Sequence, residues 1–453
     1  MTYTASNLNY GYAVATNQQY VAITNPSIFV YSKNDFGTGS VEILKYSDAI
    51  NSYIHDSTII KYLYSDTSLT TEVSDLITTE TGSNLLIDYN NLPISTSKFG
   101  KSVAIYDNTV IIGDPLFYYK LATVLTGSSV DIFEISTGNY ITSINNTFES
   151  SYDYNTTFGE SVSIYNDIIA IGASSISSSK GEVYLYKNIG GTWTYYQRLT
   201  GSNIVGSKFG SVVKIDPSGS YNIIVGNGAI SGSVYVFNYN SSSNYWSQAT
   251  ILNADRTLTS SLQEVNNNWI PYITSSTNPD GFGNSVAIYG TSIIVGAPTD
   301  TYYAQYSGSS IYHRRGAAYF FENCTGDNKN WSLIKKTFGS NEILTDNYFG
   351  WDVEVYETSS IISSLKTNFP FTSSYLENTL YKKFDCNPND SVYNILGQYV
   401  LYQKDTSSYW NIVTTLTKKK QYGEPYSVYG YDAAIYDSTI IVGSPVIATG
   451  SFA

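Results

Sequence analysis

The chain is poor in histidine, cysteine and methionine, with two, two and one among 453 residues. With only His55 and His313 present, histidine-based triads and zinc sites have almost no material. Cys324 and Cys386 make no disulfide framework, and Cys324 has neither a Cys-x-x-Cys partner nor a nearby histidine to activate its thiol. Positive charge is scarce too: 24 Lys and Arg against 37 Asp and Glu leave a net charge of −13. Phosphate affinity rests on clustered basic side chains, so no nucleic-acid partner is expected. The one basic run, Lys418-Lys419-Lys420, reads as a solvated strand end or loop. No apolar run reaches the roughly 18 residues of a membrane helix, so no membrane insertion is expected. Residues Met1 to Asn7 show neither the basic nor the apolar region of a secretory signal.

Tyrosine, by contrast, is abundant: 45 residues, against 18 Phe. Tyr and Ile suit pleated strands, and the Tyr, Asn, Ile and Lys usage is that of an AT-rich coding sequence. The dominant feature is a repeated phrase: Phe-Gly, then Ser-Val-Ala-Ile, a two-residue turn, Ile-Ile-Val-Gly, then Ala-Pro or a relative. Its clearest copies run from Phe99 to Pro115, Phe158 to Ser174, Phe282 to Pro298 and Tyr429 to Pro445. Looser copies open at Phe209 and Phe349, and a worn one at Tyr10. Repeats at such a period fix the architecture before any other argument.

One copy shows the local logic. Ser102-Val103-Ala104-Ile105-Tyr106 alternates small or polar with apolar side chains, the period of a strand. Asp107-Asn108 tolerates the positive φ of a tight turn, and Thr109 to Ile112 is a β-branched run for a strand buried on both faces. Gly113-Asp114-Pro115 then stops it. A third strand opens after Gly or Ser, as at Ser129, Gly181, Ser233 and Ala317, and a fourth often carries Trp193, Trp246, Trp331 or Trp410. Four short antiparallel strands per repeat predict an all-β, seven-bladed β-propeller, with six blades as the alternative. The seventh repeat holds only its first two strands. Its blade is therefore expected to be thin, or to be completed by a terminus, with residues 2–8 able to supply one strand, or by a partner.

These residues resemble the FG-GAP repeat family, known from integrin α-subunits, and most of all its bacterial and viral branch. Gly190-Gly191-Thr192-Trp193-Thr194, then Leu199-Thr200, then Phe209-Gly210-Ser211-Val212 follows the order of that branch. The resemblance implies one propeller over residues 1–453, weakest in 51–97, 252–278 and 366–428, which read as long insertions or degenerate strands. In the integrin branch some repeats hold calcium in an acid-rich loop. Here the matching turns, such as Asp107-Asn108 and Asn166-Asp167, are too short to supply the six to eight oxygens calcium takes. The longest, Asp216-Pro217-Ser218-Gly219, has one carboxylate. No metal or other cofactor is expected. The sixth copy reads Ser363-Ser364-Leu365 where Gly-Ala-Pro would stand, which predicts a distorted blade.

No catalytic residue is expected either. The chain lacks a sialidase-type box, and most Asp and Glu sit at turns, where they cap the local backbone. The four repeat-borne tryptophans read as packing between blades. Trp269 and Tyr272 sit instead in an Asn-flanked insertion, and Tyr302, Tyr303, Tyr306, His313 and Arg314 in a long loop between the second and third strands of the fifth repeat. These are the candidate contacts for a protein or glycan, combining flat apolar faces with hydrogen bonding. The reading is a non-enzymatic propeller: a structural or host-attachment protein of a virion, partnered by other structural proteins or by a host surface protein or glycan. The alternatives are a secreted or cell-surface lectin-like adhesin, and then a polysaccharide hydrolase or lyase.

Overall fold

The computed structural model describes residues 10–26, 39–61, 77–79, 98–115, 119–121, 124–126, 128–146, 157–176, 180–201, 206–228, 232–254, 263–265, 268–270, 280–306, 309–314, 316–325, 329–338, 348–365, 395–419 and 429–445. Their regular structure is β throughout, apart from turns and a single helical residue. The chain divides into two compact units, Met1–Ile215 with Asp432–Pro445, and Asp216–Tyr431 with Val446–Ala453.

The first six repeats fold as their alternation predicts, into blades of four antiparallel strands. In the first unit, blade 1 comprises Val14–Thr16, Tyr20–Asn25, Ser40–Ser47 and Ser52–Lys61, extended by Ile77–Thr79. Blade 2 comprises Ser102–Tyr106, Thr109–Asp114, Ser129–Glu134 and Tyr140–Asn145, and blade 3 Ser161–Tyr165, Ile168–Ala173, Glu182–Ile189 and Thr192–Thr200. Blade 4 opens with Phe209–Ile215 and continues, in the second unit, with Ile223–Asn227, Ser233–Asn240 and Tyr245–Asn253. Blade 5 is Ser285–Tyr289, Ser292–Ala297, Ala317–Asn323 and Trp331–Phe338; blade 6 is Phe349–Tyr356, Ser359–Ser364, Ile395–Lys404 and Trp410–Lys419. Second strands are the most deeply buried: every residue of Ile168–Ala173 and Ser292–Ala297 is buried. That is why they read as unbroken β-branched runs rather than alternating ones.

The count corrects the preferred seven. Among the described residues there are six four-stranded blades of propeller type, as the alternative had it. The seventh copy of the phrase forms a two-stranded hairpin, Ala433–Tyr436 with Thr439–Val442, and among the described residues no further strand pairs with it. Its second strand stays half-buried throughout, because no third strand covers it. The hairpin belongs to the first unit, where its Asp432 carboxylate accepts a hydrogen bond from the Val14 amide of blade 1 at 2.6 Å.

Residues weakest in the repeat still carry strands. Ser52–Lys61 is the fourth strand of blade 1, and the last two strands of blade 6 fall within 395–419. The sixth repeat is distorted as expected. Its first strand bulges between Phe349 and Val353, and the Asp352 amide donates to the Ser363 hydroxyl at 2.9 Å.

The phrase itself turns out to be a lock between successive blades. Gly159 donates its amide to the carbonyl of Gly172 in its own blade at 3.0 Å, while its own carbonyl accepts from Ser102 Oγ of the preceding blade at 2.8 Å. Ser161 repeats the contact on Gly210 at 3.0 Å, and Ser285 on Gly350 at 3.0 Å. The phenylalanine beside each such glycine is wholly buried, as at Phe158 and Phe282. Removing one hydroxyl, as in Ser161→Ala, leaves a buried carbonyl short of a donor and is expected to cost about 1 kcal/mol. A urea midpoint unmoved by that substitution would refute the lock.

Candidate binding surface

The loop between the second and third strands of blade 5 is a β-hairpin of its own, Thr301–Tyr306 paired with Ser309–Arg314. Its register sets Tyr302 opposite His313, Tyr303 opposite Tyr312 and Tyr306 opposite Ser309. The structure thus brings five of the sequence-predicted residues into cross-strand pairs and adds Tyr312, which the sequence reading passed over. Arg314 pairs with Thr301 at the hairpin's base. Trp269 lies on a separate short hairpin, Gln263–Val265 with Asn268–Ile270, opposite Glu264. Tyr272 lies outside the described residues.

The base of the tyrosine hairpin is held by charge. Asp300, the residue before its first strand, is 3% exposed, and its carboxylate meets Lys336 Nζ at 2.9 Å. The Tyr319 hydroxyl donates to the same carboxylate at 3.2 Å, and the Gly316 amide to the Asp300 carbonyl at 3.0 Å, closing the far end of the loop onto its start. Burial pushes the Asp300 carboxyl up from the usual carboxylate range, opposed by Lys336 and raised further by nearby Asp280. The Lys336 ammonium also lies over the rings of Tyr319 and Phe338, at 4.8 and 5.1 Å. A buried ion pair adds little net stability but is costly to break, which suits a part whose task is to fix direction. No sequence signal points to it, since Asp300 stands in the loop after the second strand, Lys336 lies on the fourth, and neither belongs to a motif.

A second buried network ties blades 5 and 6. Lys404 Nζ meets Glu322 at 2.8 Å and Ser292 Oγ at 3.0 Å, and the Trp410 indole donates to Glu322 at 3.2 Å. Trp410 also packs on Phe320, so this tryptophan does join two blades. Trp246 packs on Tyr239 of the adjacent strand and donates to the Tyr221 carbonyl at 2.8 Å, both within its own repeat. Trp193 and Trp331 are only partly buried.

Among the described residues no three His, Cys, Asp or Glu side chains gather to hold a metal ion. Asp216 shows what its turn does instead: its carboxylate accepts from the Ser218 amide at 2.9 Å and the Gly290 amide at 3.0 Å, capping backbone. Cys324 is exposed with a free thiol, and Cys386 lies outside the described residues.

Residues 276–321, the heart of the fifth repeat, match the FG-GAP repeat family. No curated protein matches the chain. The fifth repeat is therefore an FG-GAP repeat, and the blades built on its phrase are those of a β-propeller, a fold compatible with non-enzymatic binding.

Proposed function

We propose that this protein works by binding rather than by catalysis, as a structural or host-attachment component of a virion whose blades carry display loops toward a protein or glycan partner. The observation behind this reading is the rooted tyrosine hairpin. Tyrosines occupy paired register positions on a hairpin whose ends are tied by the Gly316–Asp300 backbone hydrogen bond, with the Asp300 carboxylate held in a buried ion pair. Tyrosine gives large contact area with little side-chain freedom to lose, which is why it recurs at binding hot spots. A stiff root lowers the entropy cost of association further. The likeness of the repeats to the viral and bacterial branch, and a net charge of −13 that suits no nucleic acid, favour an assembly surface as its setting.

The test has two arms. Isolated from its source, the chain is expected in a particle fraction. The variant Tyr302→Ala/Tyr303→Ala/Tyr306→Ala is expected to keep its thermal midpoint yet lose at least about tenfold of its retention on the partner surface. Recovery as free protein that binds neither particle nor cell would overturn the proposal.

A further inference from the structure

Away from the tyrosine hairpin, the first unit contains a groove of about 520 Å³ between the fourth strands of blades 2 and 3. Trp193, Tyr195 and Tyr186 line one side, and Thr142 and Asn145 the other, with Thr192 at the turn end. None of its lining residues carries a charge. The volume lies within the range of sites that enclose small ligands.

Three features separate it from an ordinary crease between blades. First, two of its three aromatics are anchored in the fold, while the Tyr195 ring is 42% exposed. Tyr186 is only 6% exposed and meets Tyr195 edge-on at 5.9 Å, while Trp193 rests on the core cluster formed by blades 2 and 3. Second, polar groups are left over. Among the described residues, the Trp193 indole N–H, the Tyr186 hydroxyl and the side chains of Thr142, Asn145 and Thr192 have no hydrogen-bond partner, whereas the indoles of Trp246 and Trp410 are both satisfied. Ser143 is the exception, its hydroxyl accepting from Tyr140 at 2.9 Å and donating to the buried Asp131. Third, burial and the neighbouring Tyr195 push the Tyr186 phenol up to about 12, so it remains a donor at any ordinary pH.

We propose that this groove is a binding site for a neutral oligosaccharide. A sugar ring offers one face of C–H groups and a rim of hydroxyls that both donate and accept. The rings of Trp193 and Tyr195 suit the first, and the unpaired indole, phenol, hydroxyl and amide groups suit the second. An anionic glycan would find no cation in the lining, and a cationic peptide no carboxylate. Unpaired donors and acceptors facing the groove are what a ligand of matching polarity can engage, and analogues without those hydroxyls would forgo those contacts. The site stands on different residues from the hairpin and does not depend on the function proposed above.

The test is an array of neutral hexose, pentose and N-acetylhexosamine oligosaccharides, probed with the full chain. Saturable binding to at least one class is expected. Trp193→Ala should weaken it at least about tenfold. Because Trp193 also rests on the core, Tyr186→Phe serves as the second variant: it removes one hydroxyl, should leave the thermal midpoint nearly unchanged, and should still weaken binding several-fold. The hairpin variant lacking Tyr302, Tyr303 and Tyr306 should bind the array as the parent does. A flat array, sugar binding untouched by both groove variants, or binding lost with the hairpin tyrosines instead would each overturn the assignment.

Discussion

Replacing Gly172 by alanine is expected to destabilise the protein by about 3 kcal/mol, at the upper end of what overpacking costs, because what obstructs the new methyl is backbone that cannot turn aside. A β-carbon at this position would lie far inside contact distance of the Gly210 carbonyl oxygen and the Ser161 hydroxyl, and 3.1 Å from the Gly210 carbonyl carbon. The backbone of Gly172 is ordinary strand, within Ile168–Ala173, so the requirement is one of space and not of conformation. Gly190 supplies the contrast. It has φ of 62° and nothing within 4 Å of where its β-carbon would be, so Gly190→Ala should cost only the strain of a left-handed residue, about 1 kcal/mol. Urea unfolding at unchanged slope measures both. A Gly172→Ala loss no greater than that of Gly190→Ala would mean that the phrase does not lock blade to blade.

Lys336→Met should cost about 3–5 kcal/mol at neutral pH, the usual penalty for leaving one member of a buried pair behind. The stranded group is the Asp300 carboxylate, 3% exposed and otherwise met by the Tyr319 hydroxyl at 3.2 Å. The loss should depend on pH in a definite direction. Burial already holds the Asp300 carboxyl above its ordinary value, so the folded chain binds that proton more tightly than the unfolded one. Such a group supports the fold fully below its unfolded value, near 4, and withdraws that support as pH rises through its folded value. Lys336 limits the withdrawal by pairing with the charged form. Without it the folded value climbs further, so the deficit of Lys336→Met should be largest near neutral pH and should shrink as pH falls toward about 4. Asp300→Asn/Lys336→Met, which leaves no buried charge, should recover much of the loss. A deficit equal at both ends of the range would show that the pair is not what roots the hairpin.

The repeat was open to reading because its signals are local. Asp107, Asn166 and Asp437 take φ near 50° at the turns their side chains suggested, and the β-branched runs between turn and glycine became the buried second strands. The sixth repeat's Ser363 announced a distortion, and its blade does bulge. The hairpin of Tyr302, Tyr303, Tyr306 and His313 could be placed on a loop, but its register could not, because the Ser-Gly pair at 307–308 marks a turn without fixing which residues face each other.

What the sequence could not show depends on contacts between segments far apart along the chain. Asp300 meets Lys336 only because a loop start and a fourth strand are brought together, and Thr142 shares a groove with Trp193 only because the fourth strands of two blades lie side by side. The same holds for the blade count, where the seventh phrase has every local sign of a blade and yet remains a hairpin.

By itself, then, the sequence determined the strands, their turns and the repeating blade, since alternation, β-branching and turn chemistry act within a few residues. Tertiary structure alone decided that the phrase's glycines make room for a neighbouring backbone, that a buried charge roots the tyrosine hairpin, and that one of four matching tryptophans lines a groove. Those outcomes depend on which backbone and side-chain atoms meet across blades, and no local pattern encodes that.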